Sequence, residues 1–113
     1  MAKAYWIAHV TVTDPEAYAG YQAVAPVAFG RYGARFLARG GAAETLEGGS
    51  WQRHVVIEFD SLHQARDCYN SPEYQKARAR RAGACEASIT IVEGADWGRD
   101  ARRARRSGVL DLQ

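Results

Sequence analysis

The alternation of apolar and polar positions divides this chain into short elements. Residues 4–13 are rich in β-formers and predict a first strand. Asp14-Pro15-Glu16 follows as a helix start: an N-capping carboxylate, a proline suited to the first helical position and an acid near the positive dipole end. Tyr18, Tyr21, Ala25, Ala28 and Tyr32 then recur at helical spacing and predict one buried stripe. Pro26 falls inside this stretch and predicts a kink or a split, and Gly33 is placed to end the helix. Residues 34–39 form a short second strand. Gly40-Gly41 predicts a bulge or bend, with residues 42–46 continuing the strand. A third strand runs over about residues 51–60. Ser61-Leu62-His63-Gln64 is a capping box for a second helix with Leu62, Ala65 and Tyr69 as its apolar stripe. Ser71-Pro72-Glu73 restarts a helix that ends near Gly83, and residues 87–93 form a fourth strand.

The order β-α-β-β-α-β implies an α+β, ferredoxin-like fold, with a four-stranded antiparallel sheet and helices on one face. Right-handed crossovers place strands one and three in the centre and strands two and four at the edges. Residues 1–96 make this domain, and residues 97–113 are an appended basic tail, expected to be flexible.

Alternation also divides the central strands into two faces. Trp6, Ala8 and Val10 share one face of the first strand, and Tyr5, Ile7 and His9 share the other. Val55, Ile57 and Phe59 oppose His54, Val56 and Glu58 in the same way on the third strand. One face packs on the helices. The other carries Tyr5, Ile7, Val56 and Leu37, which is too apolar for open water. A second copy packed face to face would cover it, so the sequence predicts a homodimer.

Glu58 interrupts the apolar run His54-Val55-Val56-Ile57-Glu58-Phe59, and a carboxylate there needs a partner, a raised pKa or a wet cavity. Face assignment puts His9 beside it, and Arg39 on the neighbouring strand ends near the same level. His9, Arg39 and Glu58 are therefore the candidate catalytic residues. Arg39 would hold a carboxylate or enolate oxygen, and His9 or Glu58 would move a proton. The competing expectation is a structural ion pair of Glu58 with Arg39 or His9. Tyr18, Tyr21 and Tyr69 are candidate ligand-binding residues, although helical spacing alone explains them as core.

Composition narrows the remaining possibilities. Residues 99–113 carry five Arg against Asp100 and Asp111, a charge of +3, while the body holds ten Lys/Arg against eleven Asp/Glu, a charge of −1. A nearly neutral body argues against a nucleic-acid surface, so any polyanion attraction would belong to the tail. Three scattered histidines give no metal signature, and no cofactor is expected. The glycine pairs lack the strand–helix setting of a phosphate loop. No apolar run reaches membrane-spanning length, and no signal peptide is evident. Cys68 and Cys85 are expected to be free thiols in a cytoplasmic protein.

Several segments together resemble the domain-of-unknown-function family 1330, in the dimeric α/β-barrel superfamily. They are Ala4-Tyr5-Trp6-Ile7-Ala8, residues 13–18, Tyr32-Gly33-Ala34-Arg35-Phe36-Leu37-Ala38-Arg39-Gly40-Gly41, Leu46-Glu47-Gly48, residues 55–59, and Tyr69-Asn70-Ser71-Pro72-Glu73-Tyr74. The resemblance spans roughly residues 3–95 and implies the dimeric barrel without a defined activity. Superfamily members include cofactor-independent monooxygenases, with sites between sheet and helices. The chain departs from the family pattern at Ala34 and in its Arg-rich tail. The functional expectation is a cofactor-independent enzyme acting on a small organic acid or enolisable carbonyl. The alternative is a non-catalytic module that binds a small ligand or a partner.

Overall fold

The computed structural model describes residues 2–95; the Arg-rich tail and Trp97 lie outside the described residues. The elements run β1 (Ala4–Val12), α1 (Pro15–Arg31), β2 (Arg35–Arg39), β3 (Arg53–Phe59), α2 (Leu62–Asn70), α3 (Pro72–Arg80) and β4 (Cys85–Glu93). All strand pairs are antiparallel, in the order β2-β3-β1-β4. This is the ferredoxin-like arrangement expected, with β1 and β3 at the centre.

The core lies between the sheet and the helices. Trp6 is its hub, 1% exposed, with its ring edge-on to Phe29 and Tyr74 and stacked near Phe59. Edge-to-face and offset contacts suit the aromatic quadrupole and add to the burial of a large apolar surface. The helix starts form as their residues dictate. Asp14 Oδ1 accepts from Ala17 N at 3.2 Å, and Ser71 Oγ accepts from Tyr74 N at 3.1 Å. Ser61 Oγ accepts from Gln64 N at 3.1 Å, but the Gln64 side chain donates to Tyr32 O at 2.7 Å. The capping box is thus half made, and its other half ties α2 to the end of α1.

Two local expectations are corrected. Pro26 does not split α1, which runs unbroken from Pro15 to Arg31. Ala25, Ala28 and Phe29 are all buried around it, so tertiary packing holds the helix through the lost backbone donor. The second correction concerns β2, which ends at Arg39 and is not resumed over residues 42–46. The register shift falls earlier, between Phe36 and Ala38, with Leu37 as the extra residue. Gly40 instead turns the chain out of the strand, at φ +68°.

Candidate functional site

The bulge at Leu37 decides where Arg39 goes. Arg35 and Phe36 oppose Glu58 and Ile57, and an unbroken register would set Arg39 opposite His54. The observed register sets Arg39 opposite Val55. A one-residue slip moves a side chain to the other face of a sheet. Arg39 therefore joins Phe36 on the helix side, with its guanidinium 4.2 Å from that ring's centroid. Leu37 is left 56% exposed.

The structure consequently separates the three candidate catalytic residues. Glu58 lies on the open face, and its partner is Arg35, not Arg39 or His9. Arg35 Nε donates to Glu58 Oε1 at 2.8 Å, and Arg35 Nη2 reaches Asp60 Oδ1 at 2.9 Å. Tyr5 Oη donates to Glu58 Oε2 at 3.3 Å. Both carboxylate oxygens are engaged. The Arg35 hydrogen bond holds the Glu58 carboxyl below its usual range, against the smaller opposing effect of desolvation. A carboxylate stabilised in this way is a poor proton acceptor. His9 shares the open face but meets His54, Nδ1 to Nδ1 at 2.9 Å, with Trp51 nearby. One imidazole donates and the other accepts in that contact.

A second group of polar side chains gathers on the helix side. A half-open cleft between α1 and the sheet contains about 560 Å³ of empty space, its mouth included. Its floor is apolar, with Ala8, Val55, Ile57 and Ile89 from the sheet. Tyr18 and Tyr21 enter from α1, and Arg39, Arg53 and Arg81 bring three guanidinium groups. Among the described residues, no carboxylate or imidazole lines the cleft. Tyr69 is not part of the cleft; it packs on Trp6 and Tyr74.

The three arginines form no salt bridge among the described residues. Arg53 Nε is buried and lacks a hydrogen-bond partner there. Its guanidinium lies against Gly40, where a side-chain carbon would sit 2.6 Å from Arg53 Cζ. Arg81 donates from Nη2 to Tyr74 Oη at 3.3 Å and lies 5.3 Å from the centre of the Tyr21 ring. Tyr21 and Tyr74 are joined hydroxyl to hydroxyl at 3.0 Å. Burial raises the Tyr21 pKa, and the neighbouring Tyr74 adds to the effect, so Tyr21 stays a phenol. Burial raises Tyr18 in the same direction, with Arg53 opposing it.

Arg53 and Arg81 went unrecognised in the sequence. Arg53 could have been found, because it shares its face with Val55, Ile57 and Phe59. Arg81 lies in a turn after α3 and carries no periodic signal.

Residues 3–95 match the sequence profile of a domain of unknown function, DUF1330. The chain belongs to the DUF1330 family. No curated protein matches it. Among solved structures, a protein of unknown function from Rhodopseudomonas palustris is similar at 18% identity and a TM-score of 0.70, over 84% of each chain. A dimeric ferredoxin-like protein of unknown function from Bacteroides fragilis is 14% identical, with a TM-score of 0.58 over 83% of this chain and 98% of that one. The cofactor-independent oxygenase SnoaB from Streptomyces nogalater is 11% identical, with a TM-score of 0.57 over 85% of this chain and 96% of that one. At these identities the likeness establishes the fold of this DUF1330 chain and leaves its site to be argued from its own residues. Among those described, no three His, Cys, Asp or Glu residues gather as a metal site, and no helix is long and apolar enough to cross a membrane.

Proposed function

We propose that this protein takes a small organic acid, or an enolisable carbonyl compound in its anionic form, into the cleft between α1 and the sheet. One observation carries the proposal: three arginines without carboxylate partners among the described residues line a cleft that is otherwise mostly apolar. Unpaired guanidinium groups in a partly enclosed space favour an anion, and their planar forks suit carboxylate or enolate oxygens. The apolar floor would receive the rest of the molecule.

The chemistry would be cofactor-independent, as the name of the Streptomyces oxygenase says of that protein. A second proposal, a binding module that leaves its ligand unaltered, is favoured by the lack of Asp, Glu or His on the cleft lining among the described residues. A substrate processed here would enter already ionised or carry its own base. His9 and Glu58 would then act away from the ligand, on the open face. We further propose that this face docks on a second copy; a neighbour of the same fold is described as dimeric. The two free thiols fit a cytoplasmic setting.

Benzoate titrated into labelled protein tests the cleft. Amide shifts should concentrate on residues near Val55, Ile57 and Ile89, and Arg53→Ala with Arg39→Ala should remove them. Binding that survives both substitutions would overturn the proposal.

A further inference from the structure

Arg81, Tyr74 and Tyr21 form a chain of hydrogen bonds whose direction follows from burial. A guanidinium has no acceptor, so Tyr74 Oη accepts from Arg81 Nη2. Tyr74 is 0% exposed, and a buried hydroxyl hydrogen left without an acceptor is costly. Tyr21 Oη, at 3.0 Å, is the acceptor within reach among the described residues. Tyr74 therefore donates to Tyr21, and the Tyr21 hydrogen is not used inside the pair. Tyr21 lines the cleft.

We infer that Tyr21 presents this hydrogen to the charged oxygen of an enolate- or phenolate-type ligand, with Tyr74 and Arg81 as positioning residues behind it. The assignment rests on the cleft being the anion site proposed above. Donation from a cation polarises the hydroxyls it feeds, so the terminal O–H is a stronger donor than an isolated phenol. The Arg81 guanidinium beside the Tyr21 ring acts in the same sense. Because burial keeps Tyr21 protonated, it serves as a donor and not as a base. The ligand class narrows accordingly. A compound whose charge is spread into a ring or an enolate gains from this donor, whereas its neutral form gains less.

The probe is 4-nitrophenol, whose neutral and ionised forms differ in absorbance. Both forms are titrated against the full chain, below and above the pH at which the free probe ionises. The bound probe should be shifted toward the phenolate. Tyr21→Phe should lower the ratio of phenolate to phenol affinity by about tenfold or more, as for loss of a hydrogen bond to a charged group. Tyr74→Phe keeps the Tyr21 hydroxyl and should lower the same ratio by a smaller factor. A purely structural role would weaken both forms alike and leave the ratio unchanged. An unchanged ratio in Tyr21→Phe, with the probe still bound in the cleft, overturns the inference and spares the anion site. Failure of benzoate and of both nitrophenol forms to bind overturns the anion site and the inference with it.

Discussion

Replacing Gly40 with alanine tests how the end of β2 shapes the cleft. Gly40 sits at φ +68°, and its N–H donates to His54 O at 2.9 Å, so the left-handed turn is tied to the sheet. An L-residue in that conformation costs about 1–2 kcal/mol. The new methyl would also fall against the Arg53 guanidinium, 2.6 Å from Cζ. That group ends a flexible side chain, so the clash is relieved by moving it, at about 0.5–1.5 kcal/mol of rotamer cost. The sum is about 2.5 kcal/mol, which for a domain of this size lowers Tm by roughly 10–20 °C. Gly41 is the control: it has no atom within 4 Å of an added carbon and no positive φ. Gly41→Ala should be neutral or stabilising by up to about 1 kcal/mol.

Urea and thermal unfolding followed by circular dichroism supply both numbers. A double-mutant cycle with Arg53→Ala separates the terms. The steric part of the Gly40→Ala cost should vanish in the Arg53→Ala background, giving a coupling of about 1 kcal/mol, while the backbone part persists. Gly40→Ala should also weaken benzoate binding, because it swings a cleft guanidinium away. Equal Tm values for the two glycine variants would refute the left-handed turn. Strict additivity with Arg53→Ala would refute the packing of the guanidinium on Gly40.

Three further outcomes are expected. Burial pushes the Cys68 thiol up to about 12, and the side chain is fully buried, so in native protein near pH 8 a thiol reagent should modify Cys85 alone; prompt loss of both thiols would contradict the packing. The Glu58 carboxyl is held below its unfolded value by Arg35, so its contribution to stability is full above the ordinary glutamate range and fades as pH falls through the lowered folded value. Arg35→Ala should therefore flatten the acid limb of a stability–pH curve, and an unchanged limb would show that the pair does not act in solution. Val56 faces Ile7 in the middle of the open face, so Val56→Asp should convert the proposed dimer to a folded monomer in sedimentation, whereas a monomeric parent protein would sink the docking of that face.

The difference between Arg35 and Arg39 shows what the sequence could and could not convey. Strand order, helix starts and the two faces of β1 and β3 were legible because they depend on alternation and on capping residues, which are local. Glu58 was legible as a carboxylate in need of a partner. Its partner was not, because two arginines lie four positions apart on β2, and only the pairing register sets Arg35 opposite Glu58. Leu37 is apolar and carries none of the usual marks of a bulge, while the glycine pair that does carry them ends the strand instead. Arg35, ahead of the bulge, pairs with Glu58, and the bulge turns Arg39 to the helix side, where Arg53 and Arg81 also lie. The extra residue thus adds positive charge to the cleft and leaves the Arg35–Glu58 pair unaffected. A substitution that removed the extra residue would return Arg39 to the His54 face and leave the cleft one guanidinium short. Deleting Leu37 should accordingly weaken benzoate binding more than it weakens the fold.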